Sequence, residues 1–314
     1  MKLKFWGVRG SLPAPISPDE VRSKIAGVVQ RIRPDDIKDA DSRERFLASL
    51  PEWLFGTTGS NTSCLEVRPS SGDHIIFDAG SGIRDLWKNL QRSEEEVKDF
   101  HIFFSHLHWD HIHGLPFFGP AYNPGCTIHF YSPQPEMEHA LKGQMRSPYF
   151  PITMEDRMNA KLVFHTLSEE ETTVGSSVIR FRKLNHPGGA YAYQVQERGK
   201  RAVYATDVEL MEEDFRKIPE NTAIFEDVDV LILDTTYTLG EAIEKYNWGH
   251  SSFSLGVDFA SAWGVKNLYL FHHEHVYNDK KLDRNLRSAR WYANRLEGKP
   301  VSIYLAREGL EITV

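Results

Sequence analysis

The chain has 314 residues, 40% of them hydrophobic and 26% charged, ample apolar material for the core of one large domain. With 22 Gly and 16 Pro, this composition excludes disorder, collagen and coiled coil as the main description. Lys+Arg 37 against Asp+Glu 44 gives a formal charge of −7, which offers no general attraction to nucleic acid. The first strand is expected at Lys2 to Gly7, where Leu3, Phe5 and Gly7 alternate with Lys2, Lys4 and Trp6. Gly10 and Pro13 break it, and Ser17-Pro18-Asp19-Glu20 is a helix start, with Ser at the cap and Glu three residues on. Two charged helices follow, roughly 18–31 and 41–50, forming a helical insertion at about 17–55. Strands at Ser63 to Val67 and His74 to Asp78 flank a polar turn, and Ala79-Gly80-Ser81-Gly82 leads into a helix from Ile83 to Leu90. A strand at Asp99 to Ser105 comes next. Further strands are predicted at Thr127 to Tyr131, Lys161 to Thr166 and Ser177 to Lys183, with a helix near Glu136 to Gln144.

In the second half, Gly189 to Gln196 and Arg201 to Ala205 read as a hairpin, Glu209 to Lys217 as a helix and Val228 to Asp234 as a buried strand. Ser251 caps a helix predicted to run to Trp263. Lys266 to Phe271 returns to a strand, Asp279 to Leu296 is a long helix, and Val301 to Leu305 with Leu310 to Val314 close the chain. Strand pairs near each end of this pattern argue for two sheets covered by helices rather than one open parallel sheet. Cys64 and Cys126 are too few for a disulfide scaffold and read as buried small residues. No signal peptide or long uncharged apolar run is visible, so a cytoplasmic protein with no membrane partner is expected.

The sharpest signal is Ser105-His106-Leu107-His108-Trp109-Asp110-His111, directly after the apolar run Ile102-Phe103-Phe104. A strand end holds its backbone firmly while the following turn aims successive side chains inward. His106 and His108 are spaced to converge on one ion, and Asp110 and His111 can reach a second if a helix starts beneath them. Imidazole nitrogen and carboxylate oxygen suit zinc, and also manganese or iron. Four ionisable groups at the mouth of an apolar strand are costly to desolvate unless a cation pairs with them.

This HxHxDH pattern resembles the hallmark of the metallo-β-lactamase-fold hydrolase superfamily. The opening Phe5-Trp6-Gly7-Val8-Arg9-Gly10-Ser11, the segment Gly59-Ser60-Asn61-Thr62-Ser63-Cys64 and the stretch Phe77-Asp78-Ala79-Gly80-Ser81-Gly82 resemble its phosphodiesterase branch, which includes ribonuclease Z and cyclic-nucleotide phosphodiesterases. The resemblance spans residues 1–314 apart from the insertion. It implies a single domain, a four-layer αββα sandwich of α/β class, with two divalent metal ions at one edge between the sheets. It also implies His186 as a further ligand of the first ion, Asp207 as the bridging carboxylate, and a last histidine at His272 or, less favoured, His273. One ion would then take His106, His108, His186 and Asp207, and the other Asp110, His111, Asp207 and His272. Two ions sharing a carboxylate sit about 3.5 Å apart. Asp78 resembles the superfamily's acid that orients a ligating imidazole from behind, with capping of its glycine-rich turn as the alternative. Trp109 either lines the pocket or covers the metal turn, and His113, His275 and Tyr277 are candidates for the entrance.

Gly249-His250-Ser251-Ser252 opens a predicted helix, which favours an anionic group nearby. It also resembles a ribonuclease-Z-like motif whose histidine contacts the scissile phosphate, which makes His250, with Asp110, the candidate catalytic pair. The implied reaction is attack of a metal-bridging hydroxide on a phosphodiester. The tRNA-processing members carry a long protruding arm. Residues 115–175 read instead as compact turns, a helix and strands. Small phosphodiesters are therefore expected as substrates rather than tRNA, and the resemblance implies cyclic nucleotides among them. A homodimer is the family's expectation. The alternatives are a ribonuclease Z-like nuclease, a lactone or β-lactam hydrolase, and a non-catalytic binding module of the same fold.

Overall fold

A computed structural model describes residues 1–93, 96–168 and 170–314. Fourteen strands among these residues fall into two sheets of seven. The first holds β1 (Lys2–Gly7), β2 (Cys64–Arg68), β3 (His74–Phe77), β4 (Asp99–Phe103), β5 (Thr127–Ser132), β6 (Lys161–Thr166) and β14 (Glu311–Thr313), in the order β14-β1-β2-β3-β4-β5-β6. The second holds β7 (Glu171–Val174), β8 (Ser177–Leu184), β9 (Ala190–Glu197), β10 (Lys200–Ala205), β11 (Val230–Asp234), β12 (Asn267–Phe271) and β13 (Ser302–Leu305), in the order β13-β12-β11-β10-β9-β8-β7. In each sheet four neighbouring strands run parallel: β3 to β6 in one, β10 to β13 in the other.

The period-two alternation of these strands explains the layering. In β10, Ala202 and Tyr204 face the space between the sheets while Val203 and Ala205 face outward; in β12, Tyr269 and Phe271 face in while Leu268 and Leu270 face out. In β4, Phe100 and Ile102 pack outward and Phe103 inward. Both faces are apolar, so each sheet needs a helical cover as well as the other sheet. Helices Ile83–Ser93 and Met137–Gln144 cover the first sheet, and Phe253–Ala262 and Asp279–Ala293 cover the second. Four layers result. The ends of β3, β4, β10, β11 and β12 then share one edge of the sandwich, where α/β proteins place their sites.

Three expectations need correction. Glu209 to Lys217 is not a helix; only Glu212–Phe215 makes a 3-10 turn, and a helix the sequence reading did not foresee follows at Pro219–Phe225. The buried Asn221 amide donates to the carbonyls of Glu213, Asp214 and Arg216, and Trp263 Nε1–H also donates to Asp214 O, bonds that compete with a continued helix. The helix after His250 is capped by Ser252 rather than Ser251. Ser251 Oγ is already engaged, donating to Val208 O and accepting from Leu210 N. The edge strand β7 was also unforeseen; it is short and carries charge, as edge strands do.

Residues 17–55 form helices Pro18–Val29, Ala40–Ser49 and Glu52–Phe55, the first closed by the Ser17–Glu20 capping box. Phe46, Leu50 and Leu54 give this segment a small core of its own. Lys24 ties it to the main body, its Nζ donating to Asp279 Oδ2 and Gly56 O. No helix of the described residues is long and apolar enough to cross a membrane.

Candidate metal centre

The carboxyl ends of the parallel strands deliver the polar side chains, and three of the deliveries require a left-handed backbone. Asp78 follows β3 with φ 61°, Asp207 follows β10 with φ 55°, and His272 follows β12 with φ 58°. His106 and His108 lie in the turn after β4, and Asp110 and His111 on the single helical turn Trp109–Ile112 that begins there. His186 sits between β8 and β9.

These residues meet in two sets. His106, His108 and His186 form one, and Asp110, His111, Asp207 and His272 the other, with the ligating atoms of each set within 4.8 Å of one another. Asp207 faces both. Its Oδ2 lies 3.2 Å from His111 Nε2 and 3.3 Å from His272 Nε2, while its Oδ1 lies 3.7 Å from His106 Nε2 and 3.9 Å from His186 Nε2. Asp110 Oδ2 is 3.1 Å from His111 Nε2 and 3.3 Å from His272 Nε2.

The hydrogen bonds behind each ring determine which nitrogen faces inward. His111 Nδ1–H donates to Asp78 Oδ2 at 2.8 Å, His186 Nδ1–H to Gly249 O at 2.9 Å, and His272 Nδ1–H to Thr236 Oγ1 at 3.1 Å. Ser105 Oγ–H is given to Asp78, so this hydroxyl accepts from His106 Nδ1–H at 3.1 Å. Four Nε2 lone pairs therefore point at carboxylate oxygens and at each other. Those of His106 and His111 are buried with no hydrogen-bond partner. Lone pairs facing lone pairs in a dry cluster are repulsive unless cations lie between them, so the donor set fits divalent first-row metal ions such as zinc.

The electrostatics agree. Burial holds His106 well below the ordinary imidazole value and also lowers His108 and His186, which keeps these rings neutral and able to ligate. Burial would raise Asp110 and Asp207, but the surrounding histidines outweigh it and hold both well below the carboxylate range. Burial likewise opposes a charge on His111; Asp110, Asp207 and Asp78 overcome it and raise its pKa well above normal, so the cluster attracts positive charge.

Asp78 is fully buried and accepts four bonds: Ser105 N–H and, on its other oxygen, Ser105 Oγ–H, His111 Nδ1–H and Tyr204 O–H. It orients His111 rather than capping the glycine-rich turn. His273 turns away, its Nε2–H donating to Ala306 O at 2.9 Å, and belongs to neither set. His250 stands between the sets, its ring 4.9 Å from His272 and 5.3 Å from His186, with Nδ1–H bonded to Asp234 Oδ2 at 2.7 Å. It lies two residues before the Ser252 cap, not on the helix itself. Trp109 is exposed. His113 bonds Thr62, His275 sits beside Glu274, and Tyr277 O–H donates to Glu241, so none of the three joins either set.

Sequence reasoning missed Asp234, Thr236, Tyr204 and the close approach of Gly10, where a Cβ would lie 2.3 Å from the His272 ring. Asp234 had a readable signal: Ile232-Leu233-Asp234 repeats the apolar-strand-then-aspartate pattern of Ile76-Phe77-Asp78. Tyr204 had none, since an inward Tyr on a strand looks like any core residue.

The family described as Beta-lactamase superfamily domain matches residues 73–273. A ribonuclease Z of Synechococcus sp. (strain CC9311) is 23% identical over 269 residues, 69% of this chain and 82% of that protein. Among solved structures, the metallo-beta-lactamase fold protein YhfI from Bacillus subtilis superposes with a TM-score of 0.64 at 16% identity, over 99% of this chain and 98% of that one. A diphosphatase from the PhnP family superposes with a TM-score of 0.63 at 18% identity, over 100% and 97% of the two chains.

Proposed function

The chain belongs to the beta-lactamase superfamily domain family, and from that membership we propose a dinuclear-metal hydrolase of phosphodiesters, acting on small ones such as cyclic nucleotides. The observation that carries the reading is the division of Asp207 between two histidine sets, with His250 held beside both by Asp234. When bound, two divalent cations, zinc first and manganese or iron next, acidify water and neutralise charge on a phosphoryl oxygen. His106, His108 and His186 would hold one, and Asp110, His111 and His272 the other, with Asp207 placed to serve both. Asp78, Ser105, Thr236 and the Gly249 carbonyl accept the Nδ1–H of His111, His106, His272 and His186 and so aim each Nε2 inward.

His250 supplies the proton that a departing alkoxide needs. Burial disfavours its charged form, but Asp234 outweighs this and raises its pKa to about 9. With Nδ1–H committed to Asp234, the proton to be given away sits on Nε2. A carbonyl substrate has less use for this group than a phosphodiester.

Two features favour a small substrate. Between residues 115 and 168, Met137, Leu141, Met145, Met154 and Met158 pack into the core beneath the first sheet, and among the described residues this stretch consists of short helices and strands β5 and β6 rather than a long arm. The net charge of −7 gives no steering for a polyanion. A ribonuclease Z-like activity is the second reading, favoured by the curated relative of that name.

The test compares kcat/KM for 3′,5′- and 2′,3′-cyclic nucleotides, a precursor tRNA and a lactone, using zinc- and manganese-loaded enzyme and a His250→Ala variant. Cyclic nucleotides should lead. His250→Ala should lose about 10²-fold or more in turnover while keeping its metal. Preference for tRNA installs the second reading, and preference for lactone removes the phosphodiester reading. Metal loss in His250→Ala would make His250 a ligand.

A further inference from the structure

Two of the most exposed large side chains in the protein stand on the segments that build the metal centre. Trp109 lies between His108 and Asp110 and is 76% exposed; Trp248 precedes Gly249 and His250 and is 62% exposed. A tryptophan so open to water forfeits its largest source of stabilisation and calls for a reason. The two positions are linked through one residue. His108 Nδ1 lies 3.2 Å from His186 Nε2, and His186 Nδ1–H donates to the carbonyl of Gly249. The backbone beneath both rings is stiff. Trp109 opens a helical turn whose next two side chains are buried in the centre, and a Cβ on Gly249 would lie 2.2 Å from His186 Nδ1. Trp291, the other strongly exposed tryptophan, differs: it lies on helix Asp279–Ala293 and the Arg295 guanidinium covers its face at 3.6 Å. Among the described residues no ring or cation covers Trp109, and Trp248 is approached only by Lys245 Nζ at 5.6 Å.

We propose that Trp109 and Trp248 are specificity-determining residues whose ring faces stack on the base of a nucleotide phosphodiester seated at the metal centre. The inference rests on the phosphodiester reading and adds to it the aromatic half of the substrate. Lys245, the cation beside this rim, is 3.8 Å from Glu274 and is thereby partly neutralised, so affinity beyond the diester itself comes from stacking. Every base has a π-face, so purine and pyrimidine are accepted alike. Tryptophan has only two side-chain torsions to fix, so each ring pays modest entropy to engage.

The experiment uses two esters with the same chromophoric leaving group, thymidine 5′-(p-nitrophenyl phosphate) and methyl p-nitrophenyl phosphate, on metal-loaded wild type, Trp109→Ala, Trp109→Phe and Trp248→Ala. Wild type should prefer the nucleoside ester by about tenfold or more in kcat/KM, a preference that falls about tenfold in Trp109→Ala and survives largely in Trp109→Phe. Calorimetry of AMP against ribose 5-phosphate gives a second readout. AMP should bind about tenfold tighter to wild type and lose that margin in Trp109→Ala. Equal preference in wild type and both alanine variants overturns the proposal. So does a change of oligomeric state in those variants without a change in preference, which makes the tryptophans an interface. If neither ester is cleaved, the phosphodiester reading fails and the calorimetric margin alone decides the stacking.

Discussion

Asp78→Asn isolates the electrostatic support of the centre from its backbone. Residue 78 has φ 61°, a conformation that Asn tolerates as well as Asp, so the substitution adds no backbone strain that Ala would. The carboxylate accepts at 2.7 Å from Ser105 N–H and, on Oδ2, from Ser105 Oγ–H, His111 Nδ1–H and Tyr204 O–H at 2.7 to 2.8 Å. An amide has one oxygen and two N–H groups. Turned so that its oxygen meets the three donors, it sets N–H against Ser105 N–H; turned the other way, it sets N–H against His111 Nδ1–H, while the two hydroxyls can rotate to accept. The lesser penalty is one buried donor left without an acceptor, about 1–3 kcal/mol, plus the weakening of three bonds to a charge into bonds to a neutral oxygen. Cheaper burial of the uncharged amide offsets part of this, leaving a loss of roughly 2–4 kcal/mol. At this chain length that is a fall of about 3–6 °C in Tm. His111 also loses the partner that pins its tautomer, which lowers metal affinity by about 10- to 100-fold. Thermal unfolding of the metal-free proteins gives the first number, and competition against a chelator of known affinity gives the second. A variant with wild-type Tm and metal affinity within about threefold of wild type would show that Asp78 merely fills space, and the account of His111 would fail with it.

Adjacent histidines provide a paired control. His272→Ala should lose about one metal ion per chain and its turnover, by elemental analysis and bis-p-nitrophenyl phosphate hydrolysis. His273→Ala should keep both ions and lose only about 1–3 kcal/mol of stability for the orphaned Ala306 carbonyl, and equal metal loss in the two would refute the assignment. At the far end of the first sheet, His101, His129 and His165 form a stacked group with Tyr131. Burial first, then the charge on His129, lowers His101 to about 4, and burial lowers the other two. A histidine depressed in the folded state favours unfolding once the unfolded chain takes up its proton. This stability is complete above about pH 6.5 and drains away as pH falls toward 4. Urea unfolding of the metal-free protein at pH 7.5 and 4.5 should show a smaller acid loss in His101→Gln than in wild type; an equal loss would mean these rings stay solvated.

The ligands in strand-end motifs were legible because strand ends announce themselves. The apolar run Ile102-Phe103-Phe104 broken by His106 marks that segment by pattern alone, whereas His186, Asp207 and His272 follow from the family resemblance; all four lie at the shared edge of the sandwich. What could not be read was anything resting on long-range packing. In place of the helix expected at Glu209 to Lys217, the Glu213, Asp214 and Arg216 carbonyls accept from Asn221, five to eight positions later, and Asp214 O also from Trp263. Ser251 looked like a cap but serves the Val208–Leu210 segment, more than forty positions earlier in the chain. Tyr204 reaches Asp78 across the gap between the two sheets, a contact that exists only after both have been built.

The backbone shows why such a centre is compatible with a stable fold. Among the described residues, the non-glycine positions with positive φ are Ser11, Asp78, Arg198, Asp207, Asp227, Asn247 and His272. Arg198 sits in a tight hairpin turn, and Asp227 and Asn247 are residue types that tolerate this region. The remaining four surround the metal centre; Ser11 belongs to it because its N–H donates to Asp110 Oδ2 at 2.9 Å. A left-handed Ser or His costs about 1–3 kcal/mol and Asp less, and each persists where its surroundings over-determine it. Here they do: Asp78 is held by four bonds, His272 by Thr236 on both its ring and its carbonyl, and Asp207 by Thr206 Oγ–H. A strand that ended without this reversal would carry its next side chain on along the sheet. The reversal at β3, β10 and β12 turns Asp78, Asp207 and His272 back into the cleft, so the strain is concentrated at the positions where ligands from two separate sheets must converge.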